Sequence, residues 1–162
     1  EAQLGDGTTT SRSTPVDLPG LAIGIQAVAA GASHSCAVTS GGVTCWGSNA
    51  DGRLGDGTTT SRTTPGNVVG LTGGAATIAA SRHTCAVMSA GGMKCWGPRL
   101  YGELGDGGPQ TTSSKPRDVA GLTGGTSAVS AGKYHTCGLT SSGGVKCGVA
   151  TGQRNSDSPL EI

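Results

Sequence analysis

Large aromatic side chains are almost absent from this sequence of 162 residues. It contains no phenylalanine and only four aromatic residues, Trp46, Trp96, Tyr101 and Tyr134. A single globular core built on aromatic residues is therefore excluded. Valine, isoleucine, leucine and alanine remain to fill thin layers between stacked units, and 31 glycines suit many turns. This balance favours a repeat architecture over one compact core.

A charge excess and long apolar runs are also missing. The formal net charge is +1, and the 11 basic residues are scattered along the chain, whereas proteins that bind nucleic acid cluster their lysines and arginines. No apolar stretch has the length that a membrane-spanning helix requires. We therefore expect neither a nucleic acid partner nor a membrane span.

The sequence is a tandem repeat with a period near 50 residues. Leu-Gly-Asp-Gly begins at Leu4, Leu54 and Leu104. A histidine two residues before a cysteine recurs as well, at His34, His83 and His135. Repeats of this length are typical of propellers and solenoids. The predicted organisation is three tandem units, 1–50, 51–100 and 101–147, followed by a divergent tail, 148–162.

Each unit has the pattern of four short strands. In the second unit a polar loop ends at Pro65 and leads into a predicted edge strand at 67–69, because proline lacks a ladder donor. A strand of small residues follows at 76–80, and a hairpin occupies 84–88 and 93–97. Small side chains let innermost strands converge on an axis, so we place the second strand at the hub. The pattern predicts an all-β fold of four-stranded antiparallel propeller blades, as part of a ring or a blade-built assembly.

Six cysteines form one pair in every unit. Local pairing recurs with the repeat and needs no long-range coincidence. A symmetric hairpin register places Cys36 directly opposite Cys45, where the Cα separation suits a disulfide. The predicted bridges, Cys36–Cys45, Cys85–Cys95 and Cys137–Cys147, indicate an oxidising compartment, which is extracellular or at the cell surface. The chain begins at Glu1 rather than methionine, so a removed signal segment and an excerpt of a longer protein both stay open.

The segment Cys45 to Gly57, with a proline strand and Gly-x-x-His elsewhere in the unit, resembles the regulator of chromosome condensation repeat. The family motif is matched by Trp46-Gly47, Asn49, Gly52-Arg53-Leu54-Gly55 and Gly31-Ala32-Ser33-His34-Ser35. The resemblance covers about residues 3 to 147 and implies a β-propeller, typically of seven blades. The sequence Gly-Asp-Gly-Thr-Thr-Thr-Ser-Arg, together with the cysteine pair, resembles the bacterial secreted or surface branch of the family. The chain departs from the family in having three units and in Gly148, which stands where tryptophan is expected.

The repeated histidines and aspartates have two possible interpretations, as metal ligands or as structural residues. His34, His83 and His135 lie near cysteines, but this spacing fits no standard zinc finger and a fourth ligand is missing. The resemblance implies that these histidines brace a turn by hydrogen bonds and that Trp46 and Trp96 are structural. The aspartates of the Leu-Gly-Asp-Gly loops supply one carboxylate each, which is too few for calcium and suits an Asx turn. We expect no metal and no cofactor.

An active site normally appears once, and no nucleophile, base and orienting group break the repeat together. The chain is therefore interpreted as not being an enzyme. The residues that do break the repeat lie in loops, where a rigid scaffold carries binding. These candidate binding residues are Arg82, Arg99, Tyr101, Lys133 and Tyr134. Ordinary solvated surface is the alternative interpretation for each of them.

These features predict a non-catalytic extracellular scaffold that binds a protein or glycan ligand. A second hypothesis is a structural subunit that self-associates head to tail, with residues 13–18 of one molecule completing the third blade of another and closing a ring or a filament. A third is an enzyme inhibitor or an activity like guanine-nucleotide exchange, although no catalytic residue of the family's exchange factors can be matched here.

Overall fold

The computed structural model describes residues 2–149 and 160–161, which form twelve strands in three antiparallel sheets of four strands each and contain no helix. No segment of this described part is a helix that could cross a membrane. The strands are β1 (Ile25–Ala30), β2 (His34–Thr39), β3 (Gly42–Gly47), β4 (Arg62–Asn67), β5 (Ala75–Ala80), β6 (Thr84–Met88), β7 (Met93–Gly97), β8 (Ser113–Asp118), β9 (Thr126–Ala131), β10 (His135–Thr140), β11 (Val145–Val149) and β12 (Leu160–Glu161).

The three sheets are consecutive propeller blades. Blade 1 has the strand order β1-β2-β3-β4, blade 2 β5-β6-β7-β8 and blade 3 β9-β10-β11-β12. The small-residue strands β1, β5 and β9 are innermost, and each contacts the next. The all-β propeller fold predicted from the sequence is therefore confirmed, in the form of a partial ring.

The outermost strand of a blade comes from the next sequence repeat. β4 follows the Leu-Gly-Asp-Gly loop of the second unit, yet it pairs with β3 of blade 1 through Cys45 and Gly66. The predicted strand at 67–69 is wrong in its bounds, because β4 runs from Arg62 to Asn67 and includes Pro65. Proline is accepted there since β4 is an edge strand. Val68 lies just beyond the strand and is buried.

The tail completes blade 3. In β12, Leu160 is opposite Cys147 and Glu161 is opposite Lys146 of β11. Residues 13–18, predicted as a strand, belong to no strand of this structure, because the three strands that they would join are not in the chain. Since β12 occupies the outer position of blade 3, the predicted complementation by residues 13–18 of another molecule would require β12 to be displaced.

Apolar layers between the blades make up the core. One layer places Val38 and Val43 of blade 1 in a cluster with Leu54, Leu71 and Ile78. A second layer gathers buried side chains of blade 2 and of the segments leading into blade 3: Cys85, Val87, Met93, Cys95, Leu104, Val119 and Leu122. Burial of apolar surface contributes roughly 25 cal/mol per Å2. Blade packing therefore stabilises the fold without a central aromatic core.

A disulfide joins the two strands of every hairpin. Cys36 is opposite Cys45 in the β2–β3 register, and the other two hairpins repeat the arrangement with Cys85–Cys95 and Cys137–Cys147. The bridges close loops of 9 or 10 residues. Loops of this size correspond to about 2–3 kcal/mol of stability per bridge on the chain-entropy model.

Peptide mapping under non-reducing conditions is expected to recover three bridges, each within a single hairpin. The physical reason is the strand register, which places the two half-cystines of each pair face to face. Alkylation without reductant should label no cysteine, and alkylation after reduction should label all six. A linkage from Cys36 to Cys85 or to Cys137 would contradict the hairpin arrangement.

Candidate binding face

Neighbouring blades are joined by a histidine of one blade and a threonine of the next. His34 Nε2 lies 2.7 Å from Thr84 Oγ1, and the Thr84 hydroxyl donates to the backbone oxygen of Arg53 at 2.9 Å. Because the hydroxyl proton is used in the second bond, the imidazole donates in the first, which makes His34 the neutral tautomer protonated on Nε2. His83 Nε2 repeats the contact at 2.5 Å from Thr136 Oγ1.

Burial holds both histidines in the neutral form. Desolvation, with the positive charge of Arg53 as a second cause, lowers the pKa of His34 from 6.5 to about 4. Desolvation also lowers the pKa of His83 from 6.5 to about 4, with His135 as the second cause. Nδ1 of each buried ring has no hydrogen-bond partner among the described residues. A second proton would therefore have no acceptor.

The two tryptophans attach the hairpins to the loops that precede their blades. Trp96 Nε1 donates to the backbone oxygen of Arg53 at 3.0 Å, and Trp46 Nε1 donates to that of Gln3 at 2.9 Å. Blade 3 lacks this contact because Gly148 occupies the corresponding position. These bonds give a geometric basis to the structural role predicted for both tryptophans.

The aspartates of the Leu-Gly-Asp-Gly loops bind their own backbone. Asp56 Oδ1 accepts from the Thr58 amide at 3.0 Å and from its hydroxyl at 2.7 Å, and Asp6 makes the same two bonds with Thr8. Hydrogen bonding to Thr8 lowers the pKa of Asp6 below 3.8. Asn49, fully buried, donates to Asp56 and to two backbone oxygens of the loop. The described residues contain no group of three metal-ligating side chains.

Arg99 is not a surface-loop residue, contrary to its selection as a candidate for binding. It stands where the first unit has Asn49, and it is 3 % exposed. Its Nη2 lies 2.6 Å from Asp106 Oδ1, and both side chains are almost fully buried. At this position the side-chain amide of Asn49 in one loop is replaced by the guanidinium of Arg99 in the next, which forms an ion pair with Asp106. Arg99 therefore supports the loop and is unavailable to a ligand.

The other four candidate residues come together at one end of blades 2 and 3. The rings of Tyr101 and Tyr134 meet edge to face with their centroids 4.9 Å apart. The guanidinium carbon of Arg82 lies 5.3 Å from the Tyr134 centroid, and Lys133 Nζ lies 5.1 Å from it. Three separate loops supply these side chains, so the arrangement exists only in the folded protein. Arg82, Tyr101, Lys133 and Tyr134 are called the aromatic-cationic cluster below.

The cluster side chains are accessible, and its two cations have no carboxylate partner among the described residues. Tyr101 is 46 % exposed and Lys133 is exposed, while Arg82 and Tyr134 are half-buried. Neither Arg82 nor Lys133 forms an ion pair with any residue that the structure describes. The rings and the cations together form a positively charged surface with aromatic contact area.

Sequence reasoning missed Glu103 beneath this surface. Glu103 stands in the Gln-Leu-Gly position of the repeat, where the other units have Gln3 and Arg53. It is 1 % exposed, and its Oε2 accepts from the backbone amide of Tyr101 at 2.8 Å. The signal was a position that differs in all three units, although burial of a carboxylate there could not be inferred from the pattern.

Blades 1 and 3 expose surfaces that are buried at the other blade contacts. Val87 and Met93 of blade 2 are 1 % and 2 % exposed, whereas Leu139 and Val145 in the equivalent positions of blade 3 are 41 % and 42 % exposed. On the opposite surface of blade 1, Val28 is 73 % exposed. His135 is also exposed. These side chains occupy the positions that are buried on the two sides of a contact between neighbouring blades.

Two family models match the chain, and both are described as the regulator of chromosome condensation (RCC1) repeat. One matches residues 1–38 and 40–88 and the other residues 25–53 and 127–147. A comparison with curated proteins finds no match.

Solved propeller structures share the fold. Human WBSCR16 has 21 % identity and a TM-score of 0.78 over 99 % of this chain and 45 % of its own. Yeast RCC1 (Prp20), in a structure with Kap60, has 18 % identity and a TM-score of 0.71 over 100 % of this chain and 43 % of its own. A structure of Prp20p from Saccharomyces cerevisiae, described with its binding to Gsp1p and histones, has 18 % identity and a TM-score of 0.72, covering 99 % and 44 %. The chain thus spans less than half the length of these structures.

Proposed function

Because the chain belongs to the regulator of chromosome condensation repeat family, we propose that it is a non-catalytic scaffold that binds a protein partner through the loops at one end of its blades. The observation that carries this proposal is the aromatic-cationic cluster, in which four repeat-breaking side chains from three loops converge. Tyrosine and arginine are enriched among the residues that dominate binding energy at protein interfaces. The Prp20 structures, which are described with protein partners, support the proposal that this chain binds a protein.

The cysteines and two of the histidines are used in structural contacts, which supports a non-catalytic role. All six cysteines are in disulfides, and two of the three histidines are buried in contacts between blades. Three disulfides are also consistent with an oxidising environment, so we place the scaffold outside the cell, as in the secreted or surface branch of the family. The partner on this view is an extracellular protein.

Site-specific photo-crosslinking tests the proposal. A photoreactive phenylalanine analogue at Tyr101 is expected to give a discrete covalent adduct with a protein from the secreted or surface fraction of the source organism. The same analogue at Val69, exposed on the loop after β4, is the matched control and should give no such adduct. Identical adducts from both positions, or none from Tyr101, would contradict a binding face at the cluster.

A second candidate function, head-to-tail self-association, is favoured by the exposed apolar surfaces of the terminal blades. Leu139 and Val145 of blade 3 correspond to buried residues of blade 2, and Val28 of blade 1 corresponds to Ile78, which is 7 % exposed. A second copy would repeat a contact that the chain already makes twice, and such a heterologous contact closes a ring or extends a filament. The contact uses blade surfaces and leaves β12 in place.

Sedimentation velocity distinguishes this arrangement from a longer propeller in which further blades cover the same surfaces. Self-association predicts an oligomer at micromolar concentration that Leu139→Asp and Val28→Asp each convert to monomer. Val69→Asp should leave the oligomer intact, since Val69 lies outside both surfaces and is exposed to solvent about as much as Leu139. A monomeric wild-type chain at these concentrations would overturn self-association.

A further inference from the structure

We propose that the aromatic-cationic cluster recognises an acidic segment of the protein partner, with carboxylates placed against Arg82 and Lys133 and an apolar side chain against the two tyrosine rings. This inference rests on the proposed function and adds the chemistry of the ligand.

Arg82 differs from the other arginines that the structure describes. The structure describes six arginines, and the five other than Arg82 form ion pairs with aspartates: Arg12 with Asp6, Arg53 with Asp51, Arg62 with Asp56, and Arg99 and Arg117 with Asp106. Arg82 faces a tyrosine ring instead and has no carboxylate partner among these residues. Its guanidinium group therefore keeps its donors available for a carboxylate supplied by a ligand.

Lys133 extends the positive potential to the next blade. Its ammonium group lies over the same Tyr134 ring as Arg82, so two cations that form no ion pair with a described residue flank one aromatic side chain. The carboxylate of Glu103 is buried, accepts from the Tyr101 amide and forms no ion pair with either cation in the described residues. The surface thus presents two positive charges, which complement an acidic sequence.

The tyrosine rings determine the shape of the ligand that fits. Tyr101 and Tyr134 meet edge to face across the boundary between two loops, and Tyr101 leaves almost half of its surface exposed. Rigid aromatic rings supply contact area at low conformational cost. An acidic residue next to an apolar one in an extended segment would contact both the cations and the rings.

The first unit provides an internal comparison. Ser33 of the first unit directly precedes the repeated histidine, a position that is Arg82 in the second unit and Tyr134 in the third. Asp51 of the second unit occupies the position of Tyr101, and its carboxylate pairs with Arg53. The same loops around blade 1 therefore carry no aromatic ring, and their arginine, Arg53, is paired with Asp51. The proposed recognition is confined to the junction of blades 2 and 3.

Fluorescence anisotropy with a labelled octapeptide, Glu-Glu-Asp-Leu-Glu-Glu-Asp-Leu, tests this inference at low ionic strength. Wild-type protein should bind it, and its amide counterpart, with Gln and Asn in place of the acids, should bind at least about tenfold more weakly. Raising the ionic strength to about 0.15 M should weaken the acidic complex, since screening acts on exposed charges. A trimer of sialic acid serves as a competing acidic glycan.

Matched charge variants place the peptide on the cluster. Arg82→Gln with Lys133→Gln should raise the Kd about tenfold or more, and Tyr134→Ala should do so as well. Lys94→Gln with Lys115→Gln removes the same net charge from strands β7 and β8 and should change the Kd less than about twofold. Circular dichroism and melting temperature establish that each variant is folded.

Three outcomes would overturn the inference: equal binding of the acidic and amide peptides, equal effects of the cluster and control variants, or preferential binding of the sialic acid trimer. The photo-crosslink at Tyr101 separates this failure from failure of the proposed function. An adduct at Tyr101 without acidic peptide binding would retain the binding face and reject its acidic ligand, whereas loss of both would reject the face itself.

Discussion

Acidification from pH 6.5 to pH 4 should lower the free energy of unfolding by about 3 kcal/mol for each of the two buried histidines. His34 and His83 have a pKa of about 4 in the folded protein, compared with 6.5 as the ordinary value. Between these values the unfolded chain binds protons that the folded chain does not. Stability is therefore highest above pH 6.5 and is lost as the pH falls towards 4.

Urea denaturation across this pH range measures the effect. Gln at position 34 retains an N–H donor for Thr84 but does not titrate, so His34→Gln should remove about half of the pH dependence, and the double variant with His83→Gln should remove most of it. Asp6 contributes at lower pH, since its pKa is held below 3.8. An unchanged slope between pH 6.5 and 4 in the double variant would show that these histidines do not carry the effect.

Gly55→Ala should destabilise the protein by about 2–5 kcal/mol, the sum of a left-handed backbone cost and a packing clash. Gly55 has φ +70°, and a Cβ atom there would lie 2.6 Å from Trp96 Nε1 and 2.9 Å from Val68 Cγ1. Relief of this clash requires movement of Trp96, which would break its hydrogen bond to the Arg53 oxygen.

Two other glycines separate the backbone cost from the clash. Gly70 has φ +72° with no atom within 4 Å of its Cβ position, so Gly70→Ala should cost only about 1–2 kcal/mol. Gly105 occupies the equivalent loop position in the third unit, where the nearest atom is Val119 Cγ1 at 3.1 Å. We expect an intermediate loss for Gly105→Ala. Equal losses at all three positions, measured by urea denaturation, would contradict the proposed role of Trp96.

The repeat made much of the fold predictable. The hairpin of the second unit lies where its glycine-bearing turn placed it, and β5 begins within one residue of the predicted strand of small residues. The strand around Pro65 was displaced, because local sequence does not specify where pairing with a preceding blade begins. The sequence left open whether the divergent tail replaces the missing proline strand of blade 3, because the tail does not repeat and its partner strand depends on tertiary structure.

Prediction of the candidate site was less complete. Departures from the repeat selected Arg82, Tyr101, Lys133 and Tyr134 among five candidate loop residues, but the mutual contacts of these four depend on how blades 2 and 3 pack. Arg99 departed from the repeat for a different reason, since it pairs with buried Asp106. A sequence departure alone cannot distinguish a ligand-facing residue from one that compensates inside a loop.

The contact of each histidine with the next blade is the central structural claim, and the 15N chemical shifts of the imidazole rings test it most directly. At pH 5 the account predicts that His34 and His83 are neutral and protonated on Nε2, because each donates to a threonine hydroxyl that is itself bound to a backbone oxygen. Shifts typical of a charged imidazolium at pH 5, or of a ring protonated on Nδ1, would contradict it.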